Sequence, residues 1–310
     1  MGELYKKSGV DKEKADDLIG NIGRIGVGNY NTGRFAAVCE HKYLTDYYVV
    51  TTANGIGSKI IPLMENQMYS TIANDLIATN LNDLACMGAA PVSFLDYISV
   101  NKLEPEPLSK IIIELKQQLK FYGCDLSGGE TSELKNIIQE DRVDIAGFAL
   151  GLVKKENLID VENVFRGDYI VGLCSSGIHS NGFSLINYLY KNGQLTDEEF
   201  KTCLEPVIVY MNEILQLTDN RVIKSAANIA GGGILSNIKR ALPKYMKADI
   251  DYSQIPPQDI FRKLYSLCGD EALEVFNMGV GFCVIVSKRY LEGTMTHLEK
   301  YNPFILGRVL

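Results

Sequence analysis

The sequence lacks the features that mark several large classes of protein. No apolar run approaches the roughly 20 residues that a membrane-spanning helix needs, so we expect no membrane partner. The opening residues, MGELYKKSGV, have no apolar core of the kind found in a signal peptide, which predicts a cytoplasmic protein. The seven cysteines form no C-x-x-C pair, and this favours buried, reduced thiols over a zinc site or a disulfide framework.

An excess of positive charge is also lacking. The 31 lysines and arginines are outnumbered by 38 aspartates and glutamates, so the formal net charge is −7. Proteins that bind nucleic acids usually carry basic patches that neutralise phosphates, and we therefore expect no nucleic-acid partner. With 46% hydrophobic and 22% charged residues over 310 positions, the chain has the composition of a globular protein long enough for two domains.

Several familiar catalytic motifs are missing. The chain has no G-x-x-x-x-G-K-[ST] phosphate-binding loop and none of the protein-kinase motif set. Ser176 and His179 are close in sequence, but no G-x-S-x-G nucleophile elbow accompanies them. These absences argue against a P-loop ATPase, a protein kinase and a serine hydrolase.

Helical and strand-like patterns alternate along the chain, which predicts an α/β or α+β protein with two domains. We place an N-terminal domain at residues 1–160, with a glycine-dotted arm near its start, and a C-terminal domain at residues 161–310. The clearest strands are predicted at Tyr47–Thr52, Val92–Val100, Val143–Val153 and Tyr169–Cys174, and the clearest helices at Thr71–Met87 and Phe183–Tyr190.

The most informative segment is S-S-G-I-H-S-N-G, residues 175–182, between a predicted strand and a predicted helix. Backbone N–H groups at such a turn can bind an anion, and His179 inside it is one of only three histidines. The alternative is a tight turn whose serine and asparagine side chains only cap the next helix. Loops of similar character at residues 52–59, 127–131 and 230–234 favour the anion-binding interpretation.

Oxygen-bearing side chains cluster on one predicted helix. Asp75 and Asn82 are seven residues apart, about two helical turns, and therefore share a face, with Asp83 beside them. Such oxygens suit Mg²⁺ that bridges to phosphates, although a solvated polar face would show the same pattern. Glu130 in SGGET adds a carboxylate in a glycine turn, and Lys59 in TANGIGSK adds a cation after a glycine-rich turn. Together these residues indicate a phosphorylated small molecule and a nucleotide bound with magnesium.

The order of these motifs resembles that of the phosphoribosylformylglycinamidine cyclo-ligases, also called aminoimidazole ribonucleotide synthetases. The resemblance covers nearly the whole chain, from YKKSGVD to the final ILG, through TANGIGSK, NDLACMGAAPVSFLDY, SGGETSE, DIAGFALG, SSGIHSNGFSL, LEPVIVY, IAGGGILSNIKRALP and NMGVGF. It implies a two-domain α/β fold with mixed sheets, and a homodimer whose strands pair across the interface. It also implies a reaction of purine biosynthesis that uses ATP and Mg²⁺. The amide oxygen of formylglycinamidine ribonucleotide is phosphorylated, and an amidine nitrogen of the same molecule then displaces phosphate to form aminoimidazole ribonucleotide.

The resemblance also implies roles for individual residues. His179, Asn181 and Lys59 would act in catalysis, and Asp83 and Glu130 would hold the metal. The nucleotide site would include Asn54, Gly55, Gly57, Ser58, Asp75, Asn82, Gly128, Gly129, Ser180, Gly231, Gly232 and Gly233.

Four segments depart from the family pattern at expected nucleotide or substrate contacts. Asn54 stands where the family usually has aspartate, and Asn228 where a histidine is common. The arm reads Thr32-Gly33-Arg34-Phe35 in place of Gly-Gly-Phe-Gly, and Leu134-Lys135-Asn136 replaces Met-Pro-Gly. Two alternatives to an active cyclo-ligase therefore stay open. One is a diverged paralogue that binds or regulates without turnover, and the other is a different ATP-dependent kinase or synthetase of the same superfamily.

Overall fold

The computed structural model describes residues 3–10, 14, 17, 18 and 34–310. The glycines of the predicted arm, at positions 23, 26, 28 and 33, lie outside the described residues. Near the start, the short helix α1 (Glu3–Lys7) is attached to the second half of the chain, because the backbone N–H of Tyr5 donates to the Glu271 carboxylate at 2.6 Å.

The first half of the chain forms one mixed sheet with helices against it. Its strands are β1 (Ala37–Cys39), β2 (Tyr47–Gly55), β3 (Ala90–Val100), β4 (Asp125–Glu133) and β5 (Val143–Lys154), and its helices are α2 (Ile60–Glu65), α3 (Tyr69–Ala85) and α4 (Pro105–Phe121). The spatial order is β1-β2-β5-β3-β4, with β3 and β4 parallel and the other neighbours antiparallel. On α4 the residues at helical spacing, Leu108, Ile111, Leu115 and Leu119, are all buried, which explains why this segment is a helix packed on the sheet.

The second half forms an antiparallel sheet in the order β7-β9-β6-β10-β8. Its strands are β6 (Tyr169–Cys174), β7 (Ile223–Asn228), β8 (Ala248–Ile250), β9 (Val280–Val286) and β10 (Phe304–Val309). Its helices are α5 (Phe183–Lys191), α6 (Asp197–Thr202), α7 (Met211–Asp219), α8 (Gly233–Arg240), α9 (Asp259–Cys268), α10 (Glu271–Val275) and α11 (Leu291–His297). Every residue of the apolar strand β9 is buried, as expected for an inner strand of a covered sheet. The predicted mixed α/β class is confirmed.

Residues 155–168 connect the two sheets, and the boundary set at residue 160 stays a prediction. Helix α3 belongs to the first half but also packs against α7 and β7 of the second half. As a result it is buried on nearly all sides, including its polar residues Asp75, Asn80, Asn82 and Asp83. Across the part of the chain that the structure describes, the helices are too short or too polar to cross a bilayer.

Two motifs differ from their predicted local structure. The SGGET segment was predicted to be a glycine turn, but residues 127–131 lie inside β4 and pair with β3. Gly129 is required there by close packing, because a Cβ atom at this position would lie 2.3 Å from Asp96 Oδ1. The strand predicted to end at Thr52 continues to Gly55, because β5 extends far enough to pair with it over its whole length.

Candidate active site

A cavity of about 540 Å³ lies where the two halves of the chain meet. Its wall is built from both halves: the end of β2 and the side of α3 from the first, and the histidine loop and the end of β7 from the second. The lining residues are Arg34–Ala37, Thr51–Gly57, Thr79, Asn82, Asp83, His179–Asn181, Val207, Asn228–Ala230 and Arg240.

The cavity brings together eight of the residues predicted from the sequence to form the site. These are Asn54, Gly55, Gly57, Asn82, Asp83, His179, Ser180 and Asn181. The other predicted residues do not line it, namely Ser58, Lys59, Asp75, Gly128, Gly129, Glu130, Gly231, Gly232 and Gly233.

Asp83 is the carboxylate of the cavity, and two asparagines hold it. Asn54 Nδ2 donates to its Oδ2 at 2.8 Å, and Asn228 Nδ2 donates to its Oδ1 at 2.9 Å. The Thr52 hydroxyl is 3.5 Å from the same Oδ2. Burial raises the pKa of Asp83 to about 6, although these hydrogen bonds and the Arg240 charge oppose the rise. The two asparagines that depart from the family pattern therefore contact the same carboxylate, one from each half of the chain.

His179 lies on the second half of the cavity wall and is 3% exposed. Its backbone is left-handed, with φ at +61°, which is uncommon for a residue other than glycine. Its Nε2 atom is buried and has no hydrogen-bond partner among the described residues. Burial, together with the nearby Lys59 charge, lowers the pKa of His179 to about 3. At neutral pH the cavity wall therefore contains an uncharged imidazole whose Nε2 atom is shielded from solvent in the free chain.

Lys59 was predicted to face a phosphate, and the structure corrects this placement. Its ammonium is fully buried, 2.7 Å from Asp75 Oδ2, and it donates to the Glu205 carbonyl at 2.7 Å. Asp75, predicted as a nucleotide contact, is also fully buried and accepts from the backbone N–H of Val207 at 2.8 Å. Both side chains are occupied by protein partners because they join the two halves of the chain behind the cavity.

Asn82 lies at the cavity and also joins the two halves of the chain. It lines the cavity, but its side chain donates to the Ile208 carbonyl at 2.9 Å and accepts from the Tyr210 N–H at 2.9 Å. The polar face of α3 therefore binds the main chain of residues 205–210, instead of standing free at the rim of a cleft. We call this set of contacts the domain joint.

Glu130 does not meet Asp83 within one chain, as a shared metal site would require. Asn54, Gly147, Asp96 and Gly129 form one row across the sheet, three strand spacings wide or roughly 14 Å. Glu130 pairs with Tyr97, which alternates with the buried Phe94, Asp96 and Ile98 on β3. Glu130 therefore lies on the sheet face that points away from α3 and Asp83.

The triple glycine forms the entry to α8. Gly232 and Gly233 have φ values of +98° and +70°, and a Cβ on Gly233 would lie 2.0 Å from the Leu273 carbonyl oxygen. These two glycines are required by the turn and its packing. Gly231 is closer to the cavity, since a Cβ there would lie 3.4 Å from Asn181 Oδ1.

The cavity offers few side chains that could coordinate a magnesium ion. No group of three or more histidine, cysteine or acidic side chains close enough to hold a metal occurs in residues 3–10 or 34–310. Asp83 supplies one carboxylate, and Asn54 and Asn228 would supply amide oxygens if their side chains turned over. Mg²⁺ commonly takes one or two carboxylates and completes its shell with water and substrate phosphates. The cavity therefore fits a magnesium ion delivered with a phosphate ligand, and not a site built from protein groups alone.

Six polar residues of the cavity wall were not among the residues predicted to form the site, namely Arg34, Thr51, Thr52, Thr79, Asn228 and Arg240. The sequence marks Arg34 and Asn228 only as departures from the family pattern. The position of Thr52 could have been predicted from the sequence, because it is two residues from Asn54 on a strand and therefore shares its face. The same holds for Arg240, because it follows Gly233 by two helical turns. Arg34 and Asn228 reach the cavity only through tertiary packing.

Comparison with known proteins gives a consistent result. Residues 33–153 match the family described as AIR synthase related protein, N-terminal domain, and residues 166–310 match its C-terminal domain. Phosphoribosylformylglycinamidine cyclo-ligase of Thermodesulfovibrio yellowstonii is 32% identical, over 99% of this chain and 96% of its own. The enzyme of the same name from Staphylococcus epidermidis is 38% identical, over 84% of this chain and 80% of its own.

A solved structure shares the fold at low identity. AaThiL, complexed with AMPPCP and TMP, superposes with a TM-score of 0.67 over 94% of this chain and 89% of its own, at 14% identity. The fold therefore extends beyond close sequence relatives, while sequence identity over nearly the full length narrows the assignment. The chain belongs to the AIR synthase related family, among the phosphoribosylformylglycinamidine cyclo-ligases.

Proposed function

We propose that this chain catalyses the ATP-dependent closure of formylglycinamidine ribonucleotide to aminoimidazole ribonucleotide. One observation carries the proposal: three of the motif loops that mark the family, around Asn54, His179 and Asn228, line a single cavity together with Asp83. Relatives with the cyclo-ligase name cover nearly the whole chain, which favours this activity over a different kinase or synthetase.

The cavity wall supplies positioning groups for such a reaction. Bound Mg-ATP would provide the phosphoryl group that turns the substrate's amide oxygen into a good leaving group. Asp83, with an amide oxygen of Asn54 or Asn228, is the group that would hold the metal. The AMPPCP complex of AaThiL is consistent with this role, since AMPPCP is an ATP analogue.

His179 is suited to the ring-closing step. Its Nε2 atom is shielded in the free chain, so the ring would turn towards the cavity when the substrate binds. There, as an uncharged imidazole, it would accept a hydrogen bond from the amidine N–H and take the proton when the nitrogen attacks. Phosphate anions nearby would raise its pKa from the low value set by burial. Ser180 and Asn181 follow it along the same wall and orient the substrate.

The test is an assay of the purified chain with formylglycinamidine ribonucleotide, ATP and MgCl₂. Aminoimidazole ribonucleotide and ADP are followed together, and we expect them in equal amounts and only with magnesium present. ADP without the imidazole product would indicate uncoupled hydrolysis. Neither product, from a chain that is folded by circular dichroism, would favour the diverged paralogue.

We also propose that the chain acts as a homodimer through the open face of the first sheet. Leu95 and Phe148 are cross-strand partners on that face, and each is 44% exposed, with Val92 of β3 similarly exposed at 45%. Adjacent exposed apolar side chains of this kind commonly mark an interface. Glu130 lies on the same face and can join an active site only across it, so its metal-binding role stays a prediction.

Charge placed on this face should prevent the dimer. Phe148→Glu is expected to give a monomer in light-scattering chromatography, because burying an unpaired carboxylate in an apolar interface is strongly unfavourable. Tyr245→Glu is the matched control, since Tyr245 is 74% exposed on the second half of the chain. A Phe148→Glu protein that keeps the wild-type mass in solution would contradict the proposed interface.

A further inference from the structure

Arg34 is a buried cation on the cavity wall without a close acceptor among the described residues. Its side chain is 6% exposed, and its Nε, Nη1 and Nη2 atoms have no hydrogen-bond partner in the part of the chain that the structure describes. The carboxylate that faces it is that of Asp160, at 3.6 Å from Nη1, which is too far for a hydrogen bond. Burial lowers the pKa of Arg34, and the Asp160 charge only partly opposes this. A guanidinium normally makes several hydrogen bonds when it is taken out of water, so this one is incomplete.

A second guanidinium fixes the main chain of the same segment. Arg240 Nη2 donates to the Arg34 carbonyl at 2.7 Å, and Nη1 donates to Asn237 Oδ1 at 3.2 Å. Its guanidinium also stacks on the ring of Phe35, 4.0 Å from the ring centre. Arg240 therefore holds Arg34 and Phe35 at the cavity wall and adds its own charge there.

The charges of the cavity do not balance within the described residues. Its wall carries two guanidinium groups and one carboxylate, Asp83, while His179 is uncharged at neutral pH. Asp160 lies outside the lining. Among the described residues the lining itself therefore carries more positive than negative charge, although the Asp160 carboxylate outside it partly balances Arg34. Such a lining attracts an anion, and arginine forms paired hydrogen bonds with phosphate oxygens.

We propose that Arg34, supported by Arg240, binds a phosphate group of the ligand in this cavity. The inference rests on the proposed function, and it specifies which chain atoms recognise the phosphate. Because the Arg34 nitrogens are shielded in the free chain, its side chain shifts when the phosphate arrives, and the missing hydrogen bonds are then made. The phosphate belongs either to the ribose 5-phosphate end of the substrate or to the nucleotide.

The test measures equilibrium binding of ribose 5-phosphate and of ADP, without turnover, by ligand-observed NMR titration. In Arg34→Met the affinity for one of the two should fall roughly 10- to 100-fold, as expected when a charged, two-pronged contact is lost. The ligand that loses affinity identifies the source of the phosphate. Arg262→Ala, which removes a 68% exposed arginine paired with Asp259, should leave both affinities unchanged.

A purely structural role for Arg34 predicts different results. If its function were the ion pair with Asp160, Arg34→Met and Asp160→Asn would lower the melting temperature alike and leave both affinities unchanged, which would overturn the proposal. We expect Arg34→Met to keep or raise the melting temperature of the free chain, since it removes an incompletely bonded cation. If Arg34→Met fails to fold, Arg34→Lys keeps the charge without the paired geometry, and an unchanged affinity in that variant would also overturn it.

These outcomes are independent of the proposed reaction. A wild-type chain that makes no aminoimidazole ribonucleotide but binds ribose 5-phosphate through Arg34 would retain the phosphate site without the activity. A chain that turns over normally and whose Arg34→Met variant binds both ligands as wild type would retain the activity without this site.

Discussion

His179→Asn is expected to lower the turnover of formylglycinamidine ribonucleotide by roughly 10²- to 10⁴-fold, the range for loss of a positioned general base. Asparagine is chosen because it tolerates the left-handed backbone at this position better than alanine does. It therefore removes the imidazole without adding strain to the loop. The measurement is kcat under saturating ATP and substrate, with the melting temperature recorded for the same preparation.

A pH series separates the chemical role of His179 from its structural one. The folded pKa of about 3 lies below the unfolded value of about 6.5, so only the unfolded chain binds this proton between the two. The contribution of neutral His179 to stability is therefore complete above pH 6.5 and is lost as the pH falls towards 3. Asp83, whose pKa is raised to about 6, makes the folded chain more stable as the pH falls. It does so equally in wild type and in His179→Asn, so its effect cancels when the two stabilities are compared.

Wild type should therefore lose stability relative to His179→Asn as the pH falls from 6.5, by at most about 1.4 kcal/mol per pH unit. A His179→Asn protein whose melting temperature at neutral pH falls far enough to explain its loss of turnover by unfolding would show that the histidine is structural. A wild-type stability that parallels the variant at every pH would show that the imidazole is not held neutral.

Asp75→Asn is expected to lower the free energy of unfolding by about 3–5 kcal/mol, the range for breaking one side of a buried ion pair. The Lys59 ammonium would then remain fully buried, and its one described anionic partner within 4 Å would be gone. An asparagine oxygen can still accept from the Val207 N–H, so the effect isolates the charge. Urea unfolding monitored by circular dichroism measures it.

The double variant Lys59→Met/Asp75→Asn tests the explanation. Removing both charges should recover part of the loss, because an uncompensated buried charge costs more than an apolar replacement. Asp259→Asn is the matched control, since it breaks the exposed pair with Arg262 and should cost well under about 1 kcal/mol. An Asp75→Asn chain as stable as this control would mean that the joint does not depend on the ion pair.

The alternation of helices and strands and the placement of most of the cavity loops were predictable from sequence. Asn54, Asp83 and His179 carry local signals, namely a strand end, a helix face and a glycine-rich turn. The residues of the domain joint carried the same kind of signal, because a polar helix face looks alike whether it binds a metal or a main chain. Periodicity predicts which side chains share a face of a helix, but not which group that face will contact.

The remaining errors have one physical origin, which is long-range pairing. SGGET contains turn residues, yet pairing with β3 extends it as a strand and carries Glu130 to the face away from Asp83. Arg34 and Asn228 reach the cavity because segments distant in sequence pack together. Local propensity does not contain that information.

The domain joint also bears on how such chains diverge. Asn82 and Asp75 make their hydrogen bonds to main-chain atoms of Ile208, Tyr210 and Val207. Hydrogen bonds of this kind fix the path of the segment without depending on which side chains it carries, although Tyr210 is buried and donates to the Cys174 carbonyl in its own right. Chimeras that join the first half of this chain to the second half of a relative should therefore keep the hydrogen bonds of the joint when residues 207 and 208 differ, so long as no proline removes the N–H groups of residues 207 and 210.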